Sequence, residues 1–143
     1  MILDPITQLE DAIIAWLSTD ATLAQYNWQR WDSDVDLQQP RGYVNVTVIG
    51  EWDLAIQGAV LCEAEVVLES VPKTAPQAPV VAIVLGMLSG REVTDRLNAK
   101  ITDGSMKIVG PPEGARAEQA IEREVRVRRI RITYPAVWNV VYV

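Results

Sequence analysis

Arginines are the residues through which this chain could most readily bind a charged partner. They are concentrated between residues 122 and 134, which read E-R-E-V-R-V-R-R-I-R-I-T-Y. Apolar and charged residues alternate here as they do in a half-buried strand. The apolar positions switch from odd to even numbers at Arg128 and Arg129. We therefore expect a β-bulge at Arg128-Arg129 that absorbs one residue, bends the strand and re-aims its arginines.

The chain contains no histidine. This excludes Ser-His-Asp, Cys-His and histidine-metal chemistry, because each of them requires an imidazole. Pairs of carboxylates remain chemically possible, but no pair stands out as a general acid and base. We predict that the protein is not an enzyme and that it has no catalytic residue, cofactor or metal site.

Two short segments begin like ligand-binding loops and then depart from the pattern. Residues 32–36 have the D-x-D-x-D spacing of a calcium loop, but Leu37 stands where that loop requires glycine. Residues 104–110 have the glycine spacing of a phosphate loop, but Pro111 and Pro112 follow in place of Lys and Ser or Thr. Neither segment predicts a binding site.

The net charge of −6 is distributed unevenly along the chain. Residues 1–115 carry 16 acids and 7 bases, whereas residues 116–143 carry 3 acids and 6 bases. The acidic surplus argues against nucleic-acid binding, which requires a dominant basic surface. An acidic body with a basic end instead favours self-assembly, in which the arginines of one subunit meet the carboxylates of another.

A second interpretation of the same charges stays open, because the arginines could pair within one chain. Glu63, Glu65 and Glu69 alternate on one face of a predicted strand, and arginines of the last strand could lie across from them in one sheet. Tryptophan is also typical of interfaces. The candidate interface residues are Glu63, Glu65, Glu69, Arg126, Arg128, Arg129, Arg131, Trp52 and Trp138.

The first part of the chain predicts a helix, a turn and a loop. Asp4 and Pro5 are typical of a helix start, and apolar residues at helical spacing predict a helix over 5–18. Asp20 is expected to cap a short turn that ends near Tyr26. Residues 27–39 are expected to form an irregular loop.

Two alternating segments, 43–49 and 58–71, predict an antiparallel hairpin with residues 51–57 at its tip and Cys62 on the buried side. Three prolines in 72–79 predict a stiff connector. A second helix is expected from Pro79; it breaks at Gly90 and resumes through Leu97. A strand over 106–109, a loop over 110–119 and the arginine strand complete the chain.

These elements predict one domain, residues 1–143, of the α+β class. The expected architecture is a mainly antiparallel four-stranded sheet with two helices on one face, in the order α-β-β-α-β-β. The longest apolar run, 79–88, is about half the length of a bilayer-spanning helix. The amino terminus also lacks the basic region of a signal peptide, so we expect cytoplasmic residence and no membrane partner.

The chain resembles the tail terminator proteins of long-tailed bacteriophages, also called tail completion or neck proteins. The resemblance rests on an amino-terminal helix containing L-E-D-A-I-I-A-W-L, a long hairpin with outward glutamates, a proline-led second helix and a final arginine-rich strand. It covers most of the chain through the order, length and patterning of these elements, and includes no diagnostic motif.

The resemblance implies a structural virion protein that assembles in the host cytoplasm. A ring of six copies would sit on the last ring of tail tube protein, stop its polymerisation and face the head-side connector or stopper protein. DNA would pass through its channel without specific binding. Other phage neck or baseplate adaptors are a close alternative. A small ligand-binding or regulatory α+β domain, with a pocket beneath residues 27–39, is the alternative from another class.

Overall fold

The computed structural model describes residues 4–33, 40–51, 58–70, 78–122 and 125–139. These residues form three α-helices, one 3-10 turn and six strands. In chain order they are α1 (Pro5–Leu17), the 3-10 turn (Leu23–Gln25), β1 (Asn27–Arg30), β2 (Arg41–Gly50), β3 (Ala59–Ser70), α2 (Ala78–Ser89), α3 (Val93–Lys100), β4 (Met106–Ile108), β5 (Ala115–Glu122) and β6 (Val125–Trp138).

The six strands form one sheet in the order β1-β2-β3-β6-β4, with β5 pairing with β6 beside β4. β1 is parallel to β2, and the other described pairs are antiparallel. The α+β class is therefore confirmed, but the prediction of four strands and two helices is wrong. β1 and β5 occupy segments that were predicted to be loops, and the helical region after Pro79 forms two separate helices.

The start of α1 follows the prediction closely. The Asp4 side chain accepts hydrogen bonds from the backbone N–H groups of Ile6 and Thr7 and, at 2.6 Å, from the Thr7 hydroxyl. The hydroxyl hydrogen bond is the main reason why the pKa of Asp4 lies below its ordinary value. Asp20 likewise accepts from the N–H groups of Thr22 and Leu23, as expected of the cap of the short turn.

The hydrophobic core lies between one face of the sheet and the three helices. Alternate residues of the central strands fill it, including Cys62, which is fully buried as predicted. Two side-chain hydrogen bonds fix α2 to this core. The Trp16 indole donates to the Met87 carbonyl at 2.9 Å, and the Tyr134 hydroxyl donates to the Leu88 carbonyl at 2.6 Å.

The predicted bulge at Arg128-Arg129 is wrong. The pairing of β6 with β3 and with β5 continues through these residues without a change of register. An extra residue there would interrupt the ladders on both sides of β6 at once. The slip in the sequence is instead accommodated by Val127, which is buried on the sheet face that points away from the helices. The bulge that the structure does contain lies in β2, between Val48 and Gly50.

Helix side chains close two edges of the sheet. Where β1 ends, the Glu10 carboxylate accepts a hydrogen bond from the backbone N–H of Val46 at 3.0 Å. Beside β4, the Asn98 amide both donates to the Ile108 carbonyl and accepts from its N–H, at 2.8 and 2.9 Å. These contacts satisfy backbone groups that a neighbouring strand would otherwise bind.

Replacing Glu10 by alanine is expected to lower the free energy of unfolding by about 1–3 kcal/mol, because the buried N–H of Val46 loses its acceptor. Burial raises the pKa of Glu10 above its ordinary value. The folded chain therefore holds this proton more tightly than the unfolded chain, and the carboxylate costs stability as the pH rises above about 4.5.

Glu10→Gln is the matched control, since it keeps an acceptor but cannot ionise. Relative to the unsubstituted chain, it is expected to become more stable as the pH rises from 4 to 7 in urea denaturation experiments. A constant difference between the two proteins across this range would contradict the assigned role of Glu10.

Candidate assembly surfaces

The sheet face that points away from the helices, called the outer face below, carries a network of ion pairs centred on Arg131. The Arg131 guanidinium donates to Glu65 at 2.8 Å and to Glu118 at 2.7 Å, and it lies 3.7 Å from Glu63. β6 presents Arg131 between β3, which carries Glu63 and Glu65, and β5, which carries Glu118. Arg131 is therefore neutralised within its own chain.

Two opposing influences act on the pKa of Arg131. Desolvation disfavours the charged guanidinium, but the hydrogen bond and charge of Glu65 outweigh it, helped by Glu118 and Glu63. The pKa of Arg131 consequently lies above its ordinary value, and the side chain is charged near neutral pH. Its chemical role is electrostatic pairing, since a group of this kind does not transfer protons near neutrality.

Glu69 is paired by an arginine that the sequence did not single out. Arg41 of β2 donates to Glu69 at 2.7 Å and lies over the Tyr43 ring, 5.5 Å from its centre. Arg41 lies opposite Glu69 in the β2–β3 register, so the alternation of both strands brings them together. The sequence alone does not identify Arg41 as the partner of Glu69, because the pairing depends on the register of β2 against β3.

The remaining predicted interface residues do not form one surface. Arg128 lies opposite Leu68 and so on the helix side of the sheet, whereas Arg129 lies on the outer face opposite Val67. Trp138 is half-buried against the core. Trp52 and the side chain of Arg126 lie outside the described residues. The structure thus brings together Glu63, Glu65 and Arg131, and adds Glu118 and Arg116 to them.

α2 has an unusual composition for a helix at the surface. Its sequence, APVVAIVLGMLS, contains no charged residue. Its exposed positions recur at helical spacing and are small or uncharged, namely Pro79, Ala82, Gly86 and Ser89. This row is called the α2 stripe. A groove of about 330 Å³ runs beside it, lined in part by Trp16, Ile83, Met87 and Val93. A helix that is apolar on every side is normally covered.

A second apolar surface lies on the sheet instead of on a helix, along the β1–β2 edge. Trp31 follows β1 with 61% of its surface exposed, and it contacts Tyr43 edge to face with 6.5 Å between ring centres. Val48 and Ile49 are 43% and 52% exposed at the end of β2, beyond the point where β1 stops. These three residues are called the apolar edge. Exposed hydrophobic patches mark interaction sites more often than isolated exposed residues do.

The pocket expected beneath residues 27–39 lies partly outside the described residues, because these do not include 34–39. The cavity next to Trp31 and Asp32 has a volume of about 200 Å³, below the roughly 300–1,000 Å³ typical of small-molecule sites. A larger groove of about 600 Å³ lies elsewhere, between the start of α3 and residues 107–112, with Arg91, Asp95 and Lys107 at its walls. It is open and carries both signs of charge.

No group of three or more potential ligating residues that could hold a metal ion occurs among the described residues. Burial raises the pKa of the Cys62 thiol to about 11, so the thiol stays protonated and unreactive near neutral pH. Within the described ranges, no helix is long and apolar enough to cross a membrane.

Comparison with known proteins gives information on the fold alone. No family model matches the chain, and no curated protein matches it. Chains of solved structures do match its fold. One of them superposes with a TM-score of 0.56 at 11% sequence identity, and the superposition covers 93% of each chain. The likeness in fold therefore extends over nearly the whole chain.

Proposed function

We propose that this chain is a structural subunit of the neck of a long-tailed bacteriophage. In this role it is a tail terminator, a ring that binds the last ring of tail tube protein, ends its polymerisation and faces the head-side connector. The observation that carries the proposal is α2, an uncharged helix whose small-residue stripe is exposed in the single chain. Such a helix is expected to be covered by another subunit.

A ring requires two different surfaces on each subunit, because heterologous contacts close by rotation. The α2 stripe, together with its groove, which Arg91 and Glu92 also line, is one surface, and the apolar edge is a second one on another side of the sheet. In the proposed ring, the apolar edge of one subunit packs on the α2 stripe of the next. The acidic surplus of the chain, −6 overall, would repel DNA phosphates in the channel.

The arginines of β6 have a smaller part in this proposal than the sequence suggested. Arg131 is paired with glutamates of its own chain, so it is a poor candidate for bridging two subunits. Arg129 lies on the outer face, opposite Val67 of β3. Another neck or baseplate adaptor could use the same surfaces to assemble. For that function too, ring formation is the first property to measure.

Gly86→Lys tests the ring directly. A Cβ added at Gly86 meets no described atom within 4 Å, so the single subunit has space for the side chain. Burying an unpaired ammonium group in an apolar contact costs several kcal/mol, and assembly is expected to weaken by roughly 100-fold or more. Native mass spectrometry at micromolar concentration, with and without tail tube protein, is expected to show closed rings for the unsubstituted chain and no closed rings for the variant.

Two controls accompany this variant. Ala99→Lys places the same charge on the exposed surface of α3, and Gly86→Ala adds only a methyl group to α2; both are expected to keep the ring. Gly86→Ala should also stabilise the subunit slightly, because alanine is the better helix former. Monomers alone from the unsubstituted chain, even with tube protein, would contradict the proposal, as would rings that form equally well with Gly86→Lys.

A small ligand-binding domain is the second candidate, and the 600 Å³ groove is the observation that favours it. Its volume is within the range of small-molecule sites. The same mass spectra distinguish the two functions, since a retained small molecule on a monomer favours the groove and a closed ring favours the terminator.

A further inference from the structure

The part of the sheet edge that β5 forms differs from the two parts that side chains close. Glu10 covers the edge of β2, and Asn98 covers the edge of β4, where Thr94 also donates to the Gly110 carbonyl at 3.0 Å. Among the described strands, β5 pairs only with β6, so its other side has no neighbouring described strand.

The first half of β5 is open to solvent on both of its faces. Ala115, Arg116, Ala117 and Glu118 are all exposed, and the two alanines leave little side chain over the backbone. The strand is eight residues long and contains no proline, glycine or lysine, the residues that commonly protect an edge from pairing. The exposed residues 115–118 therefore leave the backbone of this half of the strand accessible to a second strand.

The charges of β5 identify the strand that fits best. Arg116 and Glu118 carry opposite charges on the outer face, two residues apart, with Ala117 between them. In an antiparallel pair of two identical strands centred on Ala117, each Arg116 lies directly opposite a Glu118. Both cross-strand pairs are then attractive, and pairs of this kind stabilise antiparallel strands.

We propose that the β5 edge is a docking site for β5 of a second copy of this chain, in an antiparallel register that places Ala117 opposite Ala117. Glu118 uses one carboxylate oxygen for Arg131, which leaves its other oxygen for Arg116 of the second copy. Arg116 reaches only to 3.9 Å from Glu63 in its own chain, and its side chain is 64% exposed. It can therefore turn to the second copy at little cost.

This contact is a two-fold dimer, and it does not use the surfaces proposed for the ring. Like surfaces meet across the two-fold axis, so the contact stops at two chains. The α2 stripe and the apolar edge take no part in it. A dimer can consequently form whether or not the ring exists, and each can be lost without the other.

Disulfide trapping of the full-length chain tests the register. Directly opposite residues of antiparallel strands have Cα atoms about 4.5–5.5 Å apart, within the range that a disulfide spans. Ala117→Cys is therefore expected to give a cross-linked dimer under mild oxidation. Cys62 is fully buried and does not compete.

Ala115→Cys is the matched control, because it changes the same residue type on the same exposed strand. In the proposed register the two copies of residue 115 are offset by four positions, about 13 Å at roughly 3.4 Å per residue, too far for a disulfide. Preferential cross-linking at residue 117 is the expected result. Equal cross-linking at both positions, or none at residue 117, overturns the proposal.

Charge exchange gives a second, independent measurement. Arg116→Glu places two like-charged pairs opposite each other and is expected to weaken dimerisation about tenfold in sedimentation equilibrium. The double variant Arg116→Glu/Glu118→Arg restores opposite charges and is expected to recover most of the affinity. Circular dichroism first establishes that both variants are fully folded. If Arg116→Glu then dimerises as tightly as the unsubstituted chain, the proposed register is overturned.

Discussion

Replacing Tyr134 by alanine is expected to lower the free energy of unfolding by about 3–5 kcal/mol, the range found when a large buried aromatic side chain is removed. Tyr134 is fully buried on the helix side of β6, and its hydroxyl donates to the Leu88 carbonyl at the end of α2. Burial raises the pKa of Tyr134 above its ordinary value, so the hydroxyl remains a donor. Urea denaturation followed by circular dichroism measures the loss.

Tyr134→Phe separates the ring from the hydroxyl. It keeps the packing but leaves the Leu88 carbonyl without its donor, and we expect a cost of about 1–3 kcal/mol. The alanine variant should therefore be clearly less stable than the phenylalanine variant. Equal stability of the two variants would show that packing of the ring does not hold α2 on the sheet.

Arg131→Glu is expected to have the second large effect. It should lower the free energy of unfolding by about 2–4 kcal/mol, a value between those for exposed and for buried ion pairs. The Arg131 side chain is only 23% exposed and lies among three glutamates, so the substitution replaces their shared partner with a fourth carboxylate. Loss of the cross-strand attraction and new like-charge repulsion act in the same direction. Thermal unfolding and urea unfolding both measure this loss of stability.

Arg116→Glu is the matched control for this loss. It makes the same change on the same face, but its side chain is 64% exposed, and its effect on folding should stay below about 1 kcal/mol. If Arg131→Glu left the folded chain as stable as before and instead prevented assembly, Arg131 would act between subunits. That outcome would restore the interpretation in which the β6 arginines, including Arg126 and Arg128, bridge neighbours.

Local patterns predicted the elements whose reasons are local. The carboxylate of Asp4 caps the first turn of its own helix, so the start of α1 could be recognised from adjacent residues. The same holds for the β2–β3 hairpin and for the buried position of Cys62, since strict alternation assigns one face to the core. The break near Gly90 was also correctly placed between the two helical segments.

Local sequence patterns did not predict the elements and contacts that depend on pairing with another strand. β1 and β5 have no clear apolar alternation, and both form because β2 and β6 offer them a ladder of hydrogen bonds. The residues of the Arg131 network follow the same rule. Glu118 joins it only because β5 lies beside β6, and Arg41 meets Glu69 only through the β2–β3 register.

The sequence by itself determined the class of the fold, the principal helices and the central strands, because helix caps and alternation act over a few residues. It also determined that histidine chemistry is absent. Only the tertiary structure decided that β6 keeps its register past Arg128 and Arg129, because two neighbouring ladders constrain it from both sides. Only the tertiary structure, likewise, decided which surfaces the chain leaves open. Exposure of the α2 stripe and of the β5 edge depends on how every other element packs, and no local pattern contains that information.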